Sequence, residues 1–243
     1  MATPKYLQYL QVYNCNKKIR LGSNNDGGYV IADLNDGYDC YISAGVSDEE
    51  SFSRDFINLY KTDYKNSFAF DGTILRYPTQ YTRNISFIRK NIAPYSSRKT
   101  RNLSVLIDSF DSIFLKMDIE GSEYNWINSL STEQLKKFKQ IVIEFHGIND
   151  DSWNIKFADK EACFEKLANT HYLVHAHANN YETTTTVANN LPIPNVIELT
   201  YVNKNILEVP SQNTDKLPCS LDRPNCSSNP DINLSFYPFY ISS

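Results

Sequence analysis

The sequence predicts an α/β protein built on a doubly wound, mostly parallel sheet. Short apolar runs alternate with helical stretches along the chain, which is typical of βαβ units and of a parallel sheet. The apolar runs are continuous, as expected of parallel strands buried on both faces. Polar residues gather where these runs end, which is where an open α/β sheet binds its ligands.

The predicted elements follow one another in a single domain of residues 1–243. A short amphipathic helix is expected at 4–12, and a hairpin or entry loop around the turn at 23–28. Sheet strands are predicted at 39–43, 67–70, 85–88, 112–117, 140–145, 171–177 and 195–202. Helices are predicted at 47–60, 122–130, 132–138 and 158–168. The α/β core therefore spans 39–208, between an N-terminal extension of 1–38 and an irregular tail of 209–243 that packs on the core.

Composition and charge limit the classes of partner. The 243 residues are 41% hydrophobic, enough for a sizeable core, and carry a net charge of -4. Because no long basic run is present, nucleic acid is not the expected partner. The five cysteines form no CxxC pair, which favours reduced structural thiols over a disulfide framework or a zinc site. With no signal peptide and no apolar run long enough to span a membrane, we expect a soluble, cytoplasmic protein; the oligomeric state is not predicted.

The first two strand ends carry a glycine turn and a carboxylate. Ser43, Ala44, Gly45 and Val46 follow one strand; a glycine there lets the backbone approach a ligand, and the next helix offers free amides. Asp71 ends the following strand, where an acidic residue can accept hydrogen bonds from both hydroxyls of a ribose. An ordinary βα turn and an Asp-Gly turn are the simpler interpretations of the same residues.

The later strand ends carry several carboxylates and three of the four histidines. Their polar residues are Asp118, Glu120, Glu123, Glu144, His146, His175, His177, Asn179 and Asn180. Helix capping accounts for Glu123 but not for Asp118, which sits at the strand end itself. The period of two places His175 and His177 on the same side of their strand. Three histidines that converge on one edge beside carboxylates indicate proton transfer or metal binding.

The segment Leu115-Lys-Met-Asp-Ile-Glu-Gly-Ser-Glu123 resembles the signature strand-to-helix segment of FkbM-type methyltransferases. Other segments are similar to the same family in the same order: 25–30, 41–48, the strand ending in Asp71, 144–146, 175–180, 194–201 and 221–225. The resemblance extends from Lys18 to Phe239 and so covers most of the chain.

This resemblance implies a seven-stranded, Rossmann-like class I methyltransferase sheet with S-adenosylmethionine as the methyl donor. The turn from Ser43 to Val46 would lie under the methionine part of the cofactor. Asp26 and Asp71 would also bind the cofactor, Asp71 through its ribose, and Asp118 would lie beside the sulfonium and the acceptor. The turn departs from the family pattern because it has one glycine where class I enzymes commonly have several.

The resemblance also points to a small-molecule or glycan acceptor that carries a sugar hydroxyl. A hydroxyl must lose its proton to become a good nucleophile, so we expect His146 or His177 to be the base, with Asp118 and Glu144 orienting it or the substrate. In a variant of this hypothesis, Asp118, Glu144 and a histidine such as His146 bind Mg²⁺ or Mn²⁺, which lowers the hydroxyl pKa. The expected substrate-binding residues are His175, Asn179, Asn180 and Glu120.

Two other functions fit part of the sequence. The first is RNA ribose 2′-O-methylation, because Lys116 and Asp118, with Glu198 as the acid, suit part of a Lys-Asp-Lys-Glu set. The strand that should supply the second lysine supplies His175 and His177 instead. The other alternative is an inactive cofactor-binding module, which the single glycine favours and the retained cluster of polar residues argues against.

Overall fold

The computed structural model describes residues 4–149, 153–181, 184–187 and 191–241, with no side chains described at 184–187. Its strands are β1 Lys18–Leu21, β2 Tyr29–Ala32, β3 Cys40–Ala44, β4 Ser67–Phe70, β5 Ser86–Ile88, β6 Asn91–Ile92, β7 Thr100–Arg101, β8 Ile113–Met117, β9 Phe138–Phe145, β10 His171–Ala178, β11 Thr184–Val187, β12 Leu191–Pro194 and β13 Ile197–Asn203. Its helices are a 3-10 helix Lys5–Leu10, α1 Ser51–Tyr60, α2 Ser104–Asp108, α3 Glu123–Ser129, α4 Thr132–Lys136 and α5 Phe157–Thr170.

A seven-stranded sheet forms the centre of the molecule, in the order β10-β13-β9-β8-β3-β4-β5. The pairs from β9 across to β5 are all parallel, whereas β13 is antiparallel to both of its neighbours. The sheet is therefore mostly parallel, as predicted, and the mixed α/β architecture is consistent with a Rossmann-like fold. Crossover helices on both faces, which a doubly wound sheet requires, stay a prediction.

The strand order reverses between β3 and β8. The chain runs outward from β3 through β4 to β5 and then returns to pair β8 on the opposite side of β3. Such a reversal opens a crevice outside the carboxyl ends of the strands on either side of it. The strands that flank the crevice, β3 and β8, are buried along their whole length, which accounts for their mainly apolar sequences.

The register of the sheet aligns polar residues from four adjacent strands. Met117 of β8 pairs with Ile143 of β9, and one residue further along the edge come Asp118 and Glu144. Glu144 pairs with Glu198 of β13, which in turn pairs with His177 of β10. The four residues Asp118, Glu144, Glu198 and His177 are called the polar row below.

Several boundaries differ from the prediction for identifiable reasons. Helix α1 starts at Ser51 rather than at residue 47, because Ser47 has φ of 48° and its backbone amide is bonded to a side chain from the next strand. The predicted helix at 132–138 ends at Lys136, and its placement of Phe138 was wrong: this fully buried residue opens β9. The N-terminal helix is a shorter 3-10 helix, and the short elements α2, β6, β7, β11 and β12 were not predicted.

The C-terminal tail contributes side chains to the hydrophobic core. Leu217, Leu234 and Phe239 are fully buried and belong to the same hydrophobic cluster as strands β8 and β9. Within the described part of the chain, no helix has the length and apolar character needed to cross a membrane.

Candidate active site

A cavity of about 500 Å³ opens at the carboxyl ends of β3, β4 and β8, at the point where the strand order reverses. Its wall consists of residues 26, 27 and 29 from the hairpin, 45–49 after β3, 70, 71 and 73 at the end of β4, 91 and 92 in β6, and 116, 118–120 and 122 from β8 and the turn after it. This volume lies within the usual range for small-molecule sites.

The turn after β3 requires a glycine at position 45. Gly45 has φ of 81°, and a Cβ atom built there would lie 1.6 Å from the backbone oxygen of Asp118. Its amide donates to the carbonyl of Phe70, while the amide of Asp118 donates to the carbonyl of Ala44. Close approach of three strand ends therefore brings bare backbone to the floor of the cavity.

Asp71 lines the cavity and organises the loop beside it. Its Oδ2 accepts from the backbone amides of Val46, at 3.0 Å, and Ser47, at 3.1 Å, and its Oδ1 accepts from the amide and hydroxyl of Thr73. Burial alone would raise the pKa of Asp71, but these hydrogen bonds outweigh it and lower the pKa below its ordinary value. The carboxylate is thus ionised and holds the glycine turn; its contact with a ribose stays a prediction.

Ser43 and Ala44 do not reach the cavity wall, in contrast to Gly45 and Val46. The hydroxyl of Ser43 donates to Oε1 of Glu50 at 2.9 Å, and Tyr77 donates to Oε2 of the same carboxylate at 3.1 Å. Burial raises the pKa of Glu50. The Ser43 side chain therefore supports the turn from behind, and the residues of this turn that line the cavity begin at Gly45.

Asp118 ends β8 and faces the cavity. Its Oδ1 is buried and accepts no hydrogen bond, and burial raises its pKa, although Lys116 and His146 nearby favour the charged form. Lys116 does not pair with it directly, because its Nζ donates to the carbonyl of Gly45 at 2.7 Å. A buried carboxylate oxygen without a partner is costly, so this atom is available for a ligand.

His146 lies at the centre of a carboxylate cluster. Its Nδ1 is 3.2 Å from Oε1 of Glu123, a fully buried side chain that also accepts from the amides of Ile119 and Gly121. Its Nε2 faces three other carboxylates: Glu144 at 3.3 Å, Glu120 at 3.4 Å and Asp118 at 3.9 Å. Glu123 therefore orients the ring, and Nε2 faces the carboxylates that adjoin the cavity.

The charge on this cluster bears on the expected role of His146. Burial alone would lower the pKa of His146, but Glu123 and Glu144 outweigh it and raise the pKa to about 11. Burial and the charge of Asp118 raise the pKa of Glu144 to about 8. The imidazolium is thus favoured, which is not the form in which a general base starts, whereas the pKa values of Asp118, Glu120 and Glu144 are raised.

The same cluster has the composition of a cation site. One ligand atom each from Asp118, Glu120 and His146 lie within 4.8 Å of one another. Glu120 contributes from a left-handed backbone conformation with φ of 56°, which is uncommon outside glycine. Carboxylate oxygens together with an imidazole nitrogen suit Mn²⁺, and the oxygens suit Mg²⁺.

The predicted base His177 and the predicted substrate-binding residue His175 lie away from the cavity wall. Nε2 of His177 lies 3.1 Å from Asp231, and its Nδ1 lies 3.2 Å from Glu198. His175 lies 2.8 Å from Oδ1 of Asp222. The structure therefore does not bring His177 to the position of a base at the cavity. Its side chain is buried, and both of its ring nitrogens are paired with carboxylates.

Asn179 and Asn180 are likewise engaged by protein groups. Asn179 donates to Glu144 at 3.3 Å and so adjoins the cluster from the side of β10. Asn180 donates to the carbonyl of Cys226 at 2.9 Å and accepts from its amide at 2.7 Å. Of the two, Asn180 fixes the C-terminal segment, and a direct contact with substrate stays a prediction.

A comparison with known protein families identifies the family of this chain. A family model described as the methyltransferase FkbM domain matches residues 2–183, about three quarters of the chain. The chain belongs to this family. A comparison with curated proteins gives no significant match. The cavity at the strand reversal is accordingly the candidate active site of a methyltransferase.

The residues of this FkbM methyltransferase fit an adenosylated cofactor by three observations. Gly45 lines the cavity and lets the backbone after β3 pack against Asp118, which a side chain at this position would prevent. Val46, Phe70, Ile92 and Ile119 supply apolar wall. The unpartnered Oδ1 of Asp118 offers a negative charge suited to a cationic ligand.

Sequence reasoning missed several lining residues of the FkbM methyltransferase. Asn91 and Ile92 belong to a two-residue strand that no apolar run predicts, and Asp48 and Glu49 were assigned to helix α1. Glu123 was attributed to helix capping, although this first residue of α3 also lies 3.2 Å from His146, which follows β9. Of these residues, only Glu123 could have been identified from the sequence, because it is one of three carboxylates within six residues.

Proposed function

We propose that this methyltransferase is S-adenosylmethionine-dependent and methylates a hydroxyl on a sugar, within a glycan or nucleotide sugar, or on a related metabolite. The observation that carries the proposal is that two chemically different surfaces meet at Asp118. The glycine turn and apolar wall lie on one side of Asp118, and the carboxylate cluster around His146 lies on the other.

The donor side is assigned to residues of the cavity wall. We assign the methionine part to the backbone at Gly45 and Val46, the nucleoside to the part of the wall that includes Asp71, and the positive charge to Asp118; Asp26 also lines the cavity. When bound, the cofactor supplies an electrophilic methyl group on a sulfonium. The contribution of the protein is to hold an acceptor oxygen in line with that group, because positioning supplies much of the rate.

The acceptor side is rich in hydrogen-bond acceptors. Asp118, Glu120 and Glu144 present carboxylate oxygens, which bind ligands with many donors, such as the neighbouring hydroxyls of a sugar. We assign the hydroxyl proton to a carboxylate, with Asp118 as the one that lines the cavity, and give His146 the role of a positive charge that steadies the developing alkoxide. The oxygen–methyl bond forms as the methyl–sulfur bond breaks, and the proton stays on the carboxylate.

A divalent cation is the alternative source of that positive charge. Asp118, Glu120 and His146 supply the ligand atoms, and Glu144 adjoins them. A bound Mg²⁺ or Mn²⁺ would hold the acceptor oxygen and lower its pKa, so that a weaker base suffices. Activity that EDTA abolishes and Mn²⁺ restores would assign this role to the metal; activity unchanged by EDTA would assign it to the imidazolium.

The experiment is methyl transfer from isotopically labelled S-adenosylmethionine to a panel of neutral sugars, nucleotide sugars and capped RNA. We expect transfer to a sugar hydroxyl, and a loss of about 100-fold or more in turnover for Asp118→Asn. The matched control is Asp111→Asn, an exposed carboxylate that pairs only with Lys137 at 2.9 Å. Transfer to capped RNA alone would replace the sugar assignment, and no transfer to any class would favour an inactive module.

The structure offers no positive support for the RNA alternative. Lys116 donates to the carbonyl of Gly45, and Glu198 is bonded to His177 and to Asn225, so the two are not assembled around one acceptor. Basic side chains do gather at Arg89, Arg98 and Lys99, on the β5 to β7 side of the sheet. The cluster around His146 is acidic, which repels a phosphate backbone.

A further inference from the structure

The C-terminal segment, defined here as residues 219–231, lies beyond the region that the family model covers. It closes the end of the sheet at β10 and β13, where its side chains and carbonyls pair with the histidines at 175 and 177, with Glu198 and with Asn180. These contacts cover the polar row at the β10 and β13 end of the sheet. The part of the strand edge that stays open is the ligand cavity.

Asn225 joins this segment to the cavity. Its side-chain Nδ2 donates to Oε1 of Glu198 at 2.7 Å and to Oδ1 of Asp26 at 3.4 Å. Its backbone carbonyl also accepts from the amide of Asp26 at 3.3 Å. Asp26 lines the cavity, whereas Asn225 is buried behind it with 2% of its surface exposed.

The chemistry of this contact leaves Asn225 a single orientation. Its amide NH₂ lies between two carboxylates, so a reversed amide would place an oxygen against two negative charges. Its Oδ1 is buried and accepts no hydrogen bond, which means that the orientation is fixed by the carboxylates alone. Burial raises the pKa of Asp26, and the hydrogen bond from Asn225 opposes that rise.

We propose that Asn225 is a positioning residue of the active site, which holds the Asp26 carboxylate in place against the bound methyl donor. The inference rests on the proposed function, because it takes S-adenosylmethionine as the ligand of the cavity. It makes the C-terminal segment part of the site, although that segment lies outside the matched family domain. No residue of this segment is among those that line the cavity, so its effect passes through Asp26.

The test is titration calorimetry of S-adenosylmethionine with the full-length protein and the isosteric variant Asn225→Asp. This change keeps the shape but replaces the bridging donor with a third carboxylate. We expect binding to weaken about tenfold, the cost of one lost charge-assisted hydrogen bond. The matched control is Asn229→Ala, which removes a bond of 2.9 Å to the carbonyl of Asn180 within the same segment but touches no cavity residue.

A double-mutant cycle shows whether Asn225 acts through Asp26. Asp26→Asn and Asn225→Ala should each weaken binding on their own, and the double variant should bind within about twofold of Asp26→Asn. Cooperative thermal unfolding of each variant confirms that it is folded, and Asn225→Ala, which also removes the donor, replaces Asn225→Asp if that variant fails to fold. Wild-type affinity in Asn225→Asp, equal losses in Asn229→Ala, or additive losses in the cycle would each overturn the inference. Absence of binding to the wild-type protein would instead remove the proposed function, and the inference with it.

Discussion

Gly45 and Asp118 follow neighbouring strands, and their backbones are in close contact. A side chain at position 45 would collide with the backbone of Asp118, and the amide of Asp118 is held by the residue before Gly45. The place of Gly45 after an apolar run indicates this role from sequence, because ligands bind at such turns. The orphan oxygen of Asp118 does not follow from sequence, since it depends on where Lys116 and His146 finally point.

The glycine turn gives a first prediction. Gly45→Ala should lower the free energy of unfolding by about 2–4 kcal/mol, because it combines an unfavourable φ with a backbone clash. Gly37→Ala is the matched control: it also has a positive φ, of 67°, but no atom lies within 4 Å of the added Cβ. We expect it to cost only about 1 kcal/mol. Denaturant unfolding measures both, and equal losses would show that the close approach at Gly45 has no consequence.

At the scale of the element, the strands of the central sheet follow from the sequence and the irregular pieces do not. Strands β3, β8 and β9 are predominantly apolar because both of their faces are buried. Helix α1 begins later than predicted because Asp71, from another strand, captures the amides that would have opened it. A contact of this kind joins residues more than 20 positions apart, and no local pattern indicates it.

The end of β10 gives a second prediction, on the pH dependence of stability. Burial alone would lower the pKa of His177, but Asp231 and Glu198 outweigh it and raise the pKa to about 10. A pKa raised above the unfolded value contributes stability that is complete below about pH 6.5 and is lost as the pH rises through the folded pKa. We expect the charged His177 to contribute about 2 kcal/mol to the free energy of unfolding, which is lost as the pH rises from the unfolded to the folded pKa.

Comparison with Asp231→Asn isolates this contribution, because the variant keeps the shape of the contact and removes a charge. Urea unfolding at intervals from pH 6 to pH 10 gives the two stability curves. The wild-type curve should fall more steeply than that of the variant, and the two should converge at high pH. Parallel curves across this range would mean that the ion pair of His177 and Asp231 adds no stability.

At the scale of the whole molecule, the tail and the N-terminal elements complete a core that the central sheet alone leaves open. Phe239, Leu234 and Leu217 share a cluster with Leu7 and Leu10 of the N-terminal 3-10 helix, more than 200 residues away in sequence. The sequence predicts that the tail packs on the core, but not that it supplies Asp222, Asn225 and Asp231 to the strand ends. Those contacts depend on the final path of the chain, and the local composition of Pro, Ser and Asn indicates only irregular structure.

The burial of the tail gives a third prediction. Phe239→Ala should lower the free energy of unfolding by about 3 kcal/mol, because it leaves a cavity in the main hydrophobic cluster. Tyr237→Ala, two residues earlier and 48% exposed, is the control and should cost less than about 1 kcal/mol. Chemical denaturation measures both. A small loss for Phe239→Ala would show that the tail is not an integral part of the folded domain.

The central claim is that the cavity at the strand reversal binds the methyl donor, and titration calorimetry with S-adenosylmethionine and S-adenosylhomocysteine tests it most directly. The titrations are made with and without Mg²⁺ and with the variants Asp71→Ala and Asp118→Asn. We predict micromolar binding of the donor by the wild-type protein. We also predict that Asp71→Ala weakens both ligands, by releasing the glycine turn, and that Asp118→Asn weakens the cationic donor more than the neutral product. No binding of either ligand under any of these conditions would contradict the account and leave only the fold and the family.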